Sequence, residues 1–486
     1  MALFDDGRLL FFDHELIGCM QEVGLTMNPP IKRGGCLHVE REWELGGTRP
    51  LCIVEWQGVY RLYYKVNLGK RTTLAFVTST DGIHWERPEL GVVKFKGSSK
   101  NNLVDIGDQH PNEVCVFIDP TGPDEHRFKL VGHSQQEGGM YAMTSPDGLR
   151  FTRVLGHLLP FITDNHKTAF YDERIGKYVI YLRGWDRNRP IHPMDGSRVV
   201  MRAETDDILK PLAIEENAPN PWPQSKKLDG TGSEGLRRLN RELPIVLSCD
   251  DSDPPNADLY QAAAVQYLPE AYVAFPSLYY WYPWPPEGFV NDGVLDLQFA
   301  HSRDGIHWRR NFRGAYVRLD LPDGPCTKMM HMLVGMVPNG FCLSQYYVGG
   351  RRSHGEGRVK TETKFEKKTE MGDPMIFRLE QRMDGFVSAD SAYTGGMLVT
   401  NPFELKNKTL RINIDTSASG DAYAALVGED SSAIEGFELR DSDRIQGNNT
   451  EFVLSWKGND DLSQFVGKKI KLLIKSRHAK LFAVYT

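Results

Sequence analysis

The sequence predicts an all-β protein: a five-bladed β-propeller followed by a C-terminal β-sandwich. Three observations carry that prediction: a recurring phrase, the spacing of its copies, and a tail of period-two strands. Ser79-Thr80-Asp81-Gly82-Ile83-His84-Trp85 returns as Ser302-Arg303-Asp304-Gly305-Ile306-His307-Trp308. Ser145-Pro146-Asp147-Gly148-Leu149-Arg150-Phe151 is a third copy, Glu204-Thr205-Asp206-Asp207 a degenerate fourth, and Met383-Asp384-Gly385-Phe386 a candidate fifth. The first four follow β-like runs at residues 74–77, 140–143, 199–201 and 295–299. Asp-Gly after an alternating run is a hairpin signal, because glycine adopts positive φ without strain. Self-similarity at intervals of tens of residues marks a repeat architecture.

The spacing fits blades. Asp81 and Asp147 are 66 residues apart, and Asp147 and Asp206 are 59 apart. The next interval, 98 residues to Asp304, contains a polar insertion at about 211–242; without it the period returns to about 65. That length suits four short strands and one long loop. Blade one is expected at residues 51–56, 60–66, 73–78 and 92–95, with tight turns at Gln57-Gly58 and Asp81-Gly82. Radial repetition leaves only short, protected sheet edges, so this much strand can stay unaggregated. A large β-sandwich with coincidental Asp-Gly turns is the competing architecture, and sandwiches lack such a repeat.

Three regions follow: residues 1–36 as an N-terminal extension packing on the propeller, 37–383 as the propeller, and 384–486 as the sandwich. In the tail, runs at 409–415, 422–427, 451–456, 469–475 and 481–485 alternate with period two between polar turns. The sandwich reads either as a carbohydrate-binding module or as a structural partner.

Composition narrows the function. A net charge of −6 leaves no basic footprint for nucleic acid. No window approaches the roughly 20 apolar residues of a membrane span, and residues 1–6 lack the pattern of a signal peptide. Seven unpaired-looking cysteines point to reduced thiols and a cytoplasmic location. The expected partner is therefore a carbohydrate, with neither nucleic acid nor membrane, and assembly into a homo-oligomer stays open.

The Ser-x-Asp-Gly-Ile-His-Trp phrase, the blade-one ending at residues 89–95 with Lys100-Asn101-Asn102-Leu103-Val104, and the tail phrases Asn401-Pro402-Phe403 and Ser455-Trp456-Lys457-Gly458 carry a resemblance. The chain resembles bacterial five-bladed propeller proteins of the invertase and arabinanase clan (families 32 and 43), over nearly its whole length. The resemblance implies a glycosidase fold. It implies activity more weakly, because propellers host many functions. Invertase-like enzymes open blade one with an Asn-Asp-Pro phrase and carry a later Arg-Asp-Pro phrase; this chain has neither, so no catalytic position carries over by motif.

Site candidates come instead from the residues just before each innermost strand, which face the channel mouth. These are Glu40, Glu42 and Glu44 for blade one, Glu113 for blade two, and Asp164, His166 and Lys167 for blade three. Asp258, Tyr260 and Gln261 serve blade four, and Lys328 and His331 blade five. Glycoside hydrolysis needs two carboxyls, about 5 Å apart for retention and roughly 6.5–9.5 Å for inversion. Glu113 and Asp164 are the expected pair, with Glu42 as nucleophile or base. Each has a plainer reading: Glu42 on a solvated strand face, Glu113 as a strand cap, Asp164 as an Asx-turn residue. His166 and His331 are candidates for sugar hydroxyls, for one structural cation in the channel, or for structural roles; no organic cofactor is expected. The aromatic run through Trp281 offers rings for stacking on a sugar, or a lid. Arg183 and Trp185 are expected at the rim, and Glu356, with His354, on a loop of blade five. The leading expectation is a glycoside hydrolase; a glycoside phosphorylase and a non-catalytic glycan-binding propeller are the rivals.

Overall fold

The computed structural model describes residues 2–4, 7–69, 71–109, 112–134, 139–154, 156–159, 163, 167–186, 189, 196–212, 243–284, 291–356 and 369–486. The described residues are almost entirely strand and turn, and they form two compact units.

The first unit is the β-propeller, built among the described residues from six antiparallel sheets, described below as five successive groups along the chain. Group one is Thr48–Trp56, Val59–Asn67, Thr72–Ser79 and Leu103–Val104. The expected outer strand at 92–95 gives way to Leu103–Val104, which Asn102 fixes: its Nδ2 donates to the Phe76 carbonyl at 2.9 Å and to the Tyr64 hydroxyl at 2.7 Å. Group two is Asn112–Ile118, Phe128–Ser134, Gly139–Ser145 and Thr152–Arg153. Group three is Thr168–Asp172, Lys177–Asp186, Ser197–Thr205 and Ile245–Leu247. In group four the strands break in register, so Ala257–Gln261 and Ala264–Leu268 pair separately with Ser277–Trp281 and Ala271–Ala274.

Group five shows how the ring closes. Met329–Met332, Cys342–Gly350 and Pro374–Arg382 come from one stretch of chain, but the outermost strand is Ile31–His38. Pairing the first propeller strand with the last ties the two ends of this stretch of chain together within one sheet, while each sheet keeps a short edge.

The innermost strands enclose an apolar cavity of about 350 Å³, bounded by Ile53, Cys115, Thr168, Ala264 and Val334 and by Ala2 and Leu3. The Leu3 amide donates to the Gln266 carbonyl at 3.0 Å. In groups one, two and five this cavity lies against the later residues of the innermost strands or just past them, and in group three it reaches Thr168, the first residue of its strand.

The second unit is a sandwich of two antiparallel sheets. Side chains from both sheets share one core, with Leu398, Leu426, Leu472 and Ile474 from one sheet and Ile412, Ile414, Leu481 and Val484 from the other. The strand pairings move the expected boundaries. Arg8–Leu10 pairs with Ala479–Tyr485, Ile17–Gln21 with Gly396–Thr400, and Val23–Met27 with Val387–Ser391. Residues 4–30 are therefore part of this unit, and residues 31–36 belong to the last propeller strand. The expected N-terminal extension misjudged both because Gly34 and Gly35 mask the strand character of Ile31–His38, while its pairing partner lies more than three hundred residues away.

Candidate active site at the channel mouth

The mouth is built from the first residues of the innermost strands. Glu113 stands at the start of Asn112–Ile118 with φ +48°, a left-handed conformation that costs a non-glycine residue about 1–2 kcal/mol. Such strain persists where surrounding contacts hold it. The Arg49 guanidinium meets Glu113 Oε1 at 2.8 Å. Glu113 Oε2 is buried and has no hydrogen-bond partner. Arg49 lies directly across from Lys65 in the strand register. Burial beside Glu113 and Arg49 lowers the Lys65 pKa: desolvation dominates, Glu113 opposes it and Arg49 reinforces it.

Lys167, expected near the substrate, is fully buried, with its Nζ 2.9 Å from His133 Nδ1 and 3.5 Å from the Glu113 carbonyl. It thus supports the backbone that presents Glu113. Asp164 and His166 lie outside the described residues.

On the other side, Asp258 is wholly buried. Its Oδ2 accepts the Arg198 amide at 3.1 Å, Arg198 Nη1 at 3.0 Å and Trp281 Nε1 at 3.2 Å, and its Oδ1 is buried without a partner. The Arg198 guanidinium carbon sits 5.0 Å from the Trp185 ring, 5.3 Å from Tyr260, 4.9 Å from Tyr279 and 4.7 Å from Trp281. A desolvated guanidinium among aromatic faces is favourable both by charge–quadrupole attraction and by stacking. Arg183 donates to the Tyr260 carbonyl from Nε at 3.2 Å and Nη2 at 2.5 Å, and stacks over the same ring. The Tyr260 ring lies 5.3 Å from His331, and its hydroxyl is 3.1 Å from His354 Nε2. Gln261 Nε2 donates to the Met332 carbonyl at 2.9 Å, tying groups four and five together.

Two connected sets result: Glu113 with Lys167, and Arg183, Trp185, Asp258, Tyr260 and His331 joined through Arg198 and the Tyr260 ring, with Gln261 next to Tyr260 in its strand; three other candidates lie elsewhere. Glu42 is exposed in the short helix Glu42–Glu44 and pairs with Lys96, beside the turn before the outermost strand of group one. Its ion pair with Lys96 places it against the Phe95–Ser98 turn, six residues before Thr48–Trp56 begins. Trp281 is 2% exposed and holds Asp258 from beneath rather than offering a stacking face. Glu356 is exposed and pairs with Lys328, while its Oε2 accepts the Ser353 amide at 2.7 Å; it stabilises its own turn.

Arg49, Arg198 and His133 are the residues the sequence reading missed. Arg49 follows the same rule that located Glu113, applied to a strand start three residues later than the observed one. Arg198 sits inside an alternating run and leaves no signal short of its partners. Among the described residues, no group of three or more His, Cys, Asp or Glu side chains is placed to hold a metal ion.

No protein-family model and no curated protein matches this chain. Among solved structures it is similar to glycoside hydrolases with propeller-type folds. One, described simply as a glycoside hydrolase, is 11% identical at a TM-score of 0.42, covering 74% of this protein and 93% of that one. The Podospora anserina α-L-arabinofuranosidase PaAbf62A, solved with cellotriose, is 10% identical at 0.39, covering 73% and 98%. The Bombyx mori β-fructofuranosidase BmSUC1 is 11% identical at 0.37, covering 94% of each. These values assign no activity, substrate or residue role to this protein.

Proposed function

We propose that this protein is a glycoside hydrolase that acts on a small oligosaccharide or glycoside at the leading mouth of its propeller. One observation supports it above the rest: Glu113 presents a buried carboxylate oxygen without a partner, while Arg49 holds the other oxygen. A guanidinium-paired carboxylate on strained backbone is suited to attack an anomeric carbon or to take a proton from water. Asp164, four residues before the innermost strand of group three, is the proposed proton donor. Tyr260, with Arg183 behind it and His331 and His354 at its edges, gives a sugar ring an aromatic face and hydrogen-bonding groups.

The test is a screen of aryl glycosides and oligosaccharides on wild type, Glu113→Gln and Asp164→Asn. Glu113→Gln is expected to lose about 10²–10⁴-fold in kcat on the best substrate. Unchanged turnover in both variants overturns the site. No turnover by wild type on any sugar, with retained sugar binding, replaces hydrolysis with a binding-only propeller.

A further inference from the structure

Between groups five and one, the mouth extends into a cavity of about 790 Å³, within the size range of ligand sites. Arg49 and His331, both from innermost strands, form its inner wall; Arg351, Arg352, Thr48 and Asp373 form much of the rest. The protein as a whole carries a net charge of −6. Among the described residues that line it, this cavity nevertheless has three guanidinium groups against one carboxylate, and Arg49 is also paired with Glu113. Among the described residues, the groups that fix Arg351 are neutral: its Nε donates to the Gly324 carbonyl at 2.8 Å and its Nη2 to the Asp323 carbonyl at 2.5 Å. Its orientation is thus set without its charge being cancelled. Gly350 leaves bare backbone in the same wall, where even a Cβ would meet open space.

We infer that this cavity is an oxyanion subsite, so that the substrate or co-substrate of the proposed glycosidase carries a carboxylate, as a uronic acid does, or a phosphate. This rests on the hydrolase reading for the sugar, but the cavity's charge stands apart from it. A guanidinium fork matches both carboxylate and phosphate oxygens, and charge-assisted bonds in a partly enclosed cavity exceed those at an open surface. The two sources differ in consequence: a sugar carboxylate sets specificity, whereas inorganic phosphate makes the bond-breaking step phosphorolysis.

Calorimetric titration of the full chain with D-glucuronate, D-galacturonate and inorganic phosphate, beside D-glucose and D-galactose, tests it. At least one anion is expected to bind about tenfold tighter than the neutral sugars, to weaken with added salt, and to lose about tenfold in Arg351→Gln and in Arg352→Gln. Arg352 is exposed, so its variant remains informative should Arg351→Gln unfold. Binding of a uronate without phosphate selects the sugar carboxylate, and the converse selects phosphorolysis. The inference is overturned if anions bind no better than neutral sugars, or if Arg352→Gln binds them as wild type does. Turnover of neutral aryl glycosides that is lost in Glu113→Gln, with no anion bound, sinks this inference and leaves the hydrolase reading intact. Anion binding without any turnover does the reverse.

Discussion

The hydroxyl of Tyr346 donates to the carbonyl of Gly82 at 2.5 Å, across 264 residues of sequence. Tyr346 lies in the second strand of group five and Gly82 in the recurring turn of group one, so this bond joins the last group to the first. The same contact recurs around the ring: Tyr63 donates to Gly148 at 3.0 Å and Tyr181 to Gly305 at 2.6 Å. Each recurring turn is an Asp-centred box. Asp81 Oδ1 accepts the Ile83 and His84 amides at 2.7 and 2.9 Å, and Asp304 Oδ1 accepts the Ile306 and His307 amides at 2.8 Å each. Trp85 and Trp308 then meet Tyr346 and Tyr181 edge-on. The phrase is a joint between neighbouring blades.

Removing the Tyr346 or Tyr63 hydroxyl takes the donor from a buried carbonyl, whereas Gly305 keeps Arg202 and Trp308 as donors without Tyr181. Tyr346→Phe and Tyr63→Phe are each expected to lower stability by about 1–2 kcal/mol, read from urea unfolding. A change within experimental error in both would refute the joint.

The glycine of the phrase is required twice over. At Gly148, φ is +75° and a Cβ would come within 2.5 Å of the Tyr63 hydroxyl and 2.9 Å of the Phe128 ring. Gly58 has φ +78° with nothing near its Cβ position. Gly148→Ala should therefore cost about 3 kcal/mol and Gly58→Ala about 1 kcal/mol. Equal losses would show that backbone conformation alone selects glycine in the phrase.

The Asp box sets an acid limit. Burial by itself would raise the Asp81 carboxyl, but hydrogen bonds from His84, Ile83 and Ser79 more than offset it and hold the group well below its ordinary value; Asp304 behaves alike. A depressed folded value contributes stability above the ordinary carboxylate value of 3.8 and loses it as the pH falls further. The melting-temperature gap between wild type and an Asp81→Asn, Asp304→Asn variant should be widest at neutral pH and close below 3.8. A gap independent of pH would assign the loss to turn geometry instead.

Asp296 works in the opposite sense. Burial pushes it up to about 6, against smaller lowering effects from Tyr280 and Arg318, and its Oδ1 is buried without a partner. A raised folded value means stability is fullest below the ordinary value and declines as the pH rises towards 6. Asp296→Asn should abolish that slope and gain up to about 3 kcal/mol at neutral pH. Retention of the slope in denaturation midpoints measured on either side of pH 6 would rule Asp296 out as its source.

The site was legible to the extent that strand starts were legible. Glu113 could be named because the apolar run Val114-Cys115-Val116-Phe117 marks its strand plainly. Arg49 was passed over because Pro50 suggests a strand beginning after it, yet Thr48–Trp56 includes both, with a register shift at Pro50 absorbing the missing donor. Trp281 looked like a surface ring because its neighbours are aromatic and prolyl; alternation along Ser277–Trp281 instead turns it inward onto Asp258.

By itself the sequence determined the local units: period-two strands, Asp-Gly turns at a steady interval, and the change of pattern into the sandwich. These are short-range consequences of side-chain alternation and of glycine's positive φ, and they are written within a few residues of where they act. Tertiary structure alone decided what joins at a distance. It gave Ile31–His38 to group five, placed residues 4–30 with the second unit, and set Tyr346 on Gly82. It also left one oxygen of Glu113 buried and unpaired while Arg49 took the other. Such pairings depend on closing the ring, which no local stretch of sequence encodes.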